Sequence, residues 1–171
     1  MSRAFVKEDD DAPDGPLPER PVSGRPNYVT PAGLTQLKAR LEELEAERLE
    51  LARRADGDES AADRLRYVER DASYFRRRLE TALPVDPASQ PVGVAAFGAT
   101  VTVDDGSGAV QRYTIVGEDE ADPDSGLVSW VSPLARVLER ACVGDRVVWR
   151  RPKGSLELVI TGIDYTRRPT A

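Results

Sequence analysis

Residues 34–79 read LTQLKARLEELEAERLELARRADGDESAADRLRYVERDASYFRRRL, and the fold turns on how this stretch is taken. Leu34, Leu37, Leu41, Leu44, Arg48 and Leu51 follow one another at spacings of 3, 4, 3, 4 and 3. That is the a/d seam of a heptad repeat with one polar interruption. Upstream, Thr30 suits a helix N-cap and Pro31 the first helical position. Helix propensity stays high from Gln36 to Arg54 and breaks at Ala55-Asp56-Gly57-Asp58. Ser60, with Asp63 three residues on, is expected to cap a second helix as a weak capping box. In that helix Leu65, Val68, Ala72, Phe75 and Leu79 repeat the 3, 4, 3, 4 spacing. Two such arms of about 22–24 residues, joined by a short acidic loop, are predicted to fold back as an antiparallel coiled-coil hairpin. At a helical rise of 1.5 Å per residue its reach is roughly 33–36 Å. The apolar stripe is narrow. The outer faces carry Lys38, Arg40, Glu42 and Glu43 on one arm and Arg64, Arg66, Glu69 and Arg70 on the other. Such a hairpin is expected to stand free rather than lie flat on a domain.

Composition divides the rest of the 171 residues around this hairpin, assigned to 30–83. Residues 1–29 are rich in Pro and acids and read as a mostly disordered tail. Residues 84–96 (PVDPASQPVGVAA) read as a linker. Residues 97–165, rich in Val, Thr and Ile, read as a small β-rich domain, and 166–171 as a second tail. Strands are expected at Thr100–Val103 and Gln111–Val116 around the turn Asp104–Gly108, at Gly126–Ser132, and at Val147–Trp149 and Leu156–Ile160. A short helix is expected over Pro133–Arg140. The fold class is therefore α+β, a helical hairpin followed by a β domain.

Charge and residue type exclude several functions. Lys plus Arg number 24 against 30 Asp plus Glu, a net charge of −6, which argues against a general nucleic-acid coat protein. Histidine is absent and Cys142 is the single cysteine. Cys/His zinc sites, Ser-His-Asp triads and any intramolecular disulfide are thereby excluded. No apolar h-region opens the sequence and no run of about 18 apolar residues occurs, so a cytoplasmic protein with no membrane segment is expected. The loop carboxylates Asp56, Asp58 and Glu59 are candidate ligands for a hard cation, since Mg²⁺ takes carboxylates together with water and phosphate oxygens. Helix capping is the alternative role for acids at such a position.

Four motifs follow one another in the chain: Tyr28-Val29-Thr30-Pro31-Ala32-Gly33-Leu34, Arg64-Leu65-Arg66 through Arg78-Leu79, Arg112-Tyr113-Thr114-Ile115-Val116-Gly117, and Ser132-Pro133-Leu134-Ala135-Arg136 followed by Val143-Gly144-Asp145. In this order they resemble the Gre family of bacterial transcription elongation (transcript cleavage) factors, nearest the GreB type. The resemblance implies an N-terminal antiparallel coiled coil and an FKBP-like C-terminal domain. It implies a factor that is not itself an enzyme and has no cofactor of its own. The globular domain would dock on RNA polymerase, here through Val131, Ser132, Pro133, Leu134 and Arg136. The coiled coil would enter the secondary channel and share Mg²⁺ with the polymerase active site through Asp56, Asp58 and Glu59. DNA binding and indirect contact with nascent RNA come with the same resemblance, as does a monomeric state. Two positions depart from the family pattern. Gre tips carry Gly-Asp-x-x-Glu-Asn-x-x-Tyr, whereas this chain has Gly57-Asp58-Glu59-Ser60, and Val131 stands where GreB-type factors place an acid before Ser-Pro. The hairpin is also shorter by about two turns per arm, roughly 10 Å of reach, like that of the Rnk-type regulators of nucleoside diphosphate kinase. The reading is then a polymerase-binding regulator with weak or no stimulation of transcript cleavage. A cleavage-competent Gre factor, a coiled-coil dimerisation adaptor and a prolyl isomerase are the alternatives.

Overall fold

A computed structural model describes residues 17–165 of the chain. In chain order its elements are β1 (Asn27–Val29), α1 (Pro31–Arg54), α2 (Glu59–Glu80), β2 (Ala82–Pro84), β3 (Thr100–Asp104), β4 (Val110–Val116), β5 (Leu127–Ser129), α3 (Pro133–Leu138), β6 (Arg146–Arg151) and β7 (Gly154–Asp164). The expected α+β arrangement forms, with a helical hairpin ahead of a curled β-sheet domain.

Helix α1 starts where local chemistry dictates. Thr30 is extended, and its hydroxyl accepts the Gly33 N–H at 3.0 Å. The last turn carries Arg53 and Arg54, whose charges suit the negative end of the helix dipole. Gly57 turns the chain with φ +90°, a conformation that favours glycine. Helix α2 then begins two residues earlier than Ser60 allows. Asp58 is its N-cap, and its carboxylate accepts the Ala61 N–H at 3.0 Å. Aspartate caps as well as serine does, and capping at Asp58 gains hydrogen-bonded backbone in the first turn. Leu44, Val68 and Ala72 form the buried seam, flanked by Leu41, Leu51 and Phe75. Ion pairs cross between the arms from Arg64 to Glu47 (2.7 Å) and from Arg76 to Glu45.

The two ends of the hairpin are tied together. Strands β1 and β2 pair in parallel, with Asn27 opposite Ala82 and Val29 opposite Pro84. The segment read as a tail therefore ends in a strand. Two residues of that segment also reach α2: Glu19 pairs with Arg77 at 2.7 Å and Arg20 with Asp71 at 3.6 Å. The segment read as a linker likewise joins the core at its far end, where Ala95 is fully buried and donates its N–H to the Ala141 carbonyl at 2.8 Å. Small apolar residues read as linker by composition are here the residues that fit beneath a sheet.

The β domain is a five-stranded sheet in the order β5-β4-β3-β7-β6. All neighbours are antiparallel except β4 and β5, which run parallel. A register shift between Thr102 and Val103 bends β3 against β7. Alternate residues face inward, so that Val101, Val103, Leu158 and Ile160 meet Leu134 and Leu138 of α3 in one core. Because β5 is parallel to β4, the chain must cross over between them. That crossover, Gly117–Gly126, carries Glu118, Asp119 and Glu120 in a 3-10 turn to the base of the hairpin.

Candidate functional site

Three regions carry polar chemistry: the hairpin tip, the junction at its base, and a groove in the β domain. At the tip, Asp56 lies exposed in the loop and Glu59 is the exposed first residue of α2. Asp58 is engaged twice. One carboxylate oxygen caps α2, and the other takes a hydrogen bond from Arg54 at 3.0 Å. The Ala61 N–H, and then Arg54, hold the Asp58 carboxyl below the usual aspartate value. Among the described residues no group of three or more Asp, Glu, Cys or His side chains is arranged to hold a metal ion. The tip therefore does not fit a resident divalent ion, which needs a ligand set rather than one or two surface acids.

At the base, the acids of the crossover meet the hairpin. The Glu120 carboxylate is buried and accepts from the Thr30 N–H at 2.9 Å, the Thr30 hydroxyl and the Gly117 N–H at 3.2 Å. Gly33 makes room for it, since a Cβ there would lie 1.9 Å from the Glu120 carboxyl carbon. Arg78 is 2% exposed and pairs with Asp119 through Nε and with Glu118 at 3.6 Å. Its carbonyl accepts from Asn27 Nδ2 at 2.7 Å. Tyr74 donates its hydroxyl to Asp119 at 2.6 Å. Burial first, and then that carboxylate, push the Tyr74 phenol up to about 12. Arg20 lies 4.0 Å from the centre of the Tyr74 ring. None of Arg78, Asp119 and Glu120 is marked as a site by periodicity. Glu118-Asp119-Glu120 follow no apolar repeat, and Arg78 lies off the Leu65, Val68, Ala72, Phe75, Leu79 seam.

In the β domain, a groove of about 660 Å³ runs beside α3. Its apolar wall includes Tyr113, Leu127, Val128, Leu134 and Trp149, and its rim carries Arg150, Arg151 and Lys153. No acid lines it. Of the residues expected to dock, Ser132, Pro133 and Leu134 line this groove, whereas Val131 and Arg136 do not. Ser132 caps α3 by accepting the Ala135 N–H at 3.1 Å, and Arg136 donates to the Val131 carbonyl at 3.3 Å. Burial raises the Tyr113 phenol. The basic rim comes from the β6–β7 turn, which by sequence reads only as a hairpin connection.

With this geometry in view, relatives decide the identity. The family profile described as "Transcription elongation factor, GreA/GreB, C-term" matches residues 90–165. Transcription elongation factor GreB of Neisseria meningitidis serogroup A is 37% identical over 155 residues, covering 82% of this chain and 95% of its own length. The chain belongs to the GreA/GreB family of transcription elongation factors. GreB of Xanthomonas axonopodis pv. citri is 36% identical over 151 residues, covering 80% of this chain and 90% of its own. GreA of Maridesulfovibrio salexigens is 32% identical over 150 residues, covering 80% of this chain and 94% of its own. As a Gre-family protein the chain carries the hairpin and β domain anticipated from its motifs. No helix among the described residues is long and apolar enough to cross a membrane. Several α2 arginines that a nucleic-acid contact would call on are paired with acids: Arg64 with Glu47, Arg70 with Asp71, Arg76 with Glu45 and Arg77 with Glu19.

Proposed function

We propose that this Gre-family chain is a cytoplasmic, monomeric regulator that binds RNA polymerase, inserts its short hairpin into the secondary channel and stimulates transcript cleavage weakly or not at all. The state of Asp58 carries the reading. A carboxylate that caps a helix and accepts from Arg54 is not free to serve as a metal ligand without giving up both bonds. The carboxylates of Asp56 and Glu59 make no bond to any described residue, but displaced acids on a short arm miss the Å-scale placement that such chemistry requires. No step runs through a metal ion of this chain, and the chain supplies no catalytic residue of its own. Docking is assigned to the groove beside α3, with Ser132, Pro133 and Leu134 on one wall and Arg150, Arg151 and Lys153 on the rim. An apolar wall with a basic rim suits a partner segment that offers large apolar side chains beside acids. The hairpin seam is satisfied within one chain, which favours a monomer over an adaptor dimer.

Two measurements test this. In the first, full-length chain is titrated against core RNA polymerase at low and high salt. Reversing Arg150 and Lys153 to Glu is expected to weaken binding about tenfold at low salt. Wild-type chain that fails to bind core enzyme overturns the reading. In the second, a stalled, backtracked complex is followed for RNA cleavage. Product is expected near the level without factor and unchanged by Asp58→Asn or Glu59→Gln. A clear acceleration lost in those variants replaces this reading with that of a cleavage-competent factor.

A further inference from the structure

A second cavity, of about 230 Å³, lies where the hairpin base meets the β domain. Its walls include Tyr28 from β1, Phe97 and Trp130 from the β domain, and Glu139 at the end of α3. The rings form a cluster. Tyr28 meets Trp130 at 5.1 Å, close to edge-on, and Phe97 at 5.9 Å, tilted by 56°. Tyr28, Phe97 and Trp130 all line this space, and aromatic rings attract cations through their π faces. The Glu139 backbone N–H donates to the Ala135 carbonyl at 2.9 Å, but its carboxylate has no hydrogen bond or ion pair to any described residue. It is also the C-cap of α3, where the last helical carbonyls already make the potential negative. An acid there opposes the helix dipole, so its placement answers no need of the helix. Arg140, the next residue, does not line the cavity.

We propose that this junction cavity is a binding site for one cationic side chain, arginine or lysine, of a partner polypeptide. The aliphatic stem would lie along the three rings and the charged end would meet the Glu139 carboxylate. The site is separate from the docking groove, yet the two share a wall. Helix α3 gives Pro133 and Leu134 to the groove and Ala135 and Glu139 to the cavity. A side chain seated here also touches Tyr28, which leads directly into the hairpin, so occupancy bears on both parts of the molecule.

The test uses full-length ¹⁵N-labelled chain and two probes, N-acetyl-arginine amide and its neutral counterpart N-acetyl-norleucine amide. The two tryptophan indole signals report separately, Trp130 in the cavity and Trp149 in the groove. The arginine probe is expected to shift the Trp130 indole saturably and to leave Trp149 unmoved. The neutral probe is expected to bind about three- to fivefold more weakly, and Glu139→Gln to weaken the arginine probe by a similar factor. Equal binding of the two probes makes the cavity a plain apolar pocket and overturns the proposal, as does the absence of a saturable Trp130 shift. Because Glu139 is exposed, its replacement leaves the core intact. A Glu139→Gln chain that binds the arginine probe as wild type does also overturns it.

Discussion

Glu120 and Gly33 are a matched pair, and each explains the other. The carboxylate is buried because Thr30 and Gly117 supply donors, and Thr30 holds its cap position partly because Glu120 accepts its N–H. Glu120→Ala leaves the N–H groups of Thr30 and Gly117 without that acceptor, so a loss of about 2–4 kcal/mol is expected in urea denaturation. Gly33→Ala places a methyl group on the carboxyl, which cannot swing away without breaking the same bonds. A cost of about 1–3 kcal/mol is expected by the same assay, with the fold retained. Conformational freedom at Gly33 is not the issue, because it sits in a helix; the close approach is. Gly33 stands in a motif, but its role opposite Glu120 is not visible in the sequence. Thr30 and Glu120 are 90 positions apart, and nothing local in Glu118-Asp119-Glu120 reports that the turn is covered.

At the scale of elements, the caps and seams set the hairpin and the parallel crossover sets its base. Asp58 provides a pH signature. Its carboxyl is lowered in the folded chain, so its contribution is fully present above the ordinary aspartate value of about 3.9. That contribution is lost as pH falls through the lower folded value. Asp58→Asn keeps the cap without a titrating group. Helix content followed by circular dichroism from pH 6 to 2 is therefore expected to fall more steeply below pH 4 in wild type than in the variant. A parallel decline in both assigns the acid loss to other carboxylates. The arms were legible because heptad spacing is local and repeats. Thr30 and Pro31 mark the start of α1, and most strands are bounded by Gly, Pro or Asp. The start of α2 differs from the expectation at Ser60 because Asp58 and Ser60 are both acceptable caps and the choice depends on backbone geometry. The groove was half legible. Ser132, Pro133 and Leu134 stand in one motif and Tyr113 in another, whereas Trp149 and Arg150–Lys153 reach it only through strand order.

For the molecule as a whole, the question is what holds the hairpin at a fixed angle to the β domain. Arg78 of α2 meets Asp119 of the crossover at this junction, and breaking such a buried pair from one side costs about 3–5 kcal/mol. Asp119→Asn keeps the shape and removes the charge. Small-angle scattering is expected to give an elongated particle for wild type. For the variant a broader spread of long distances is expected, at unchanged helix content. Identical scattering from the two would place the hinge's stiffness elsewhere, in the β1–β2 pairing or at Glu120. That pairing has a consequence of its own. The chain enters and leaves the finger side by side, so the finger behaves as a cassette whose length is set independently of its footing. Inserting one heptad in each arm would move the tip outward by about 10 Å and leave every contact at the footing untouched. Reach is thus a quantity that selection can tune by whole heptads in paired steps, much as a telescoping rod is lengthened without moving its mount.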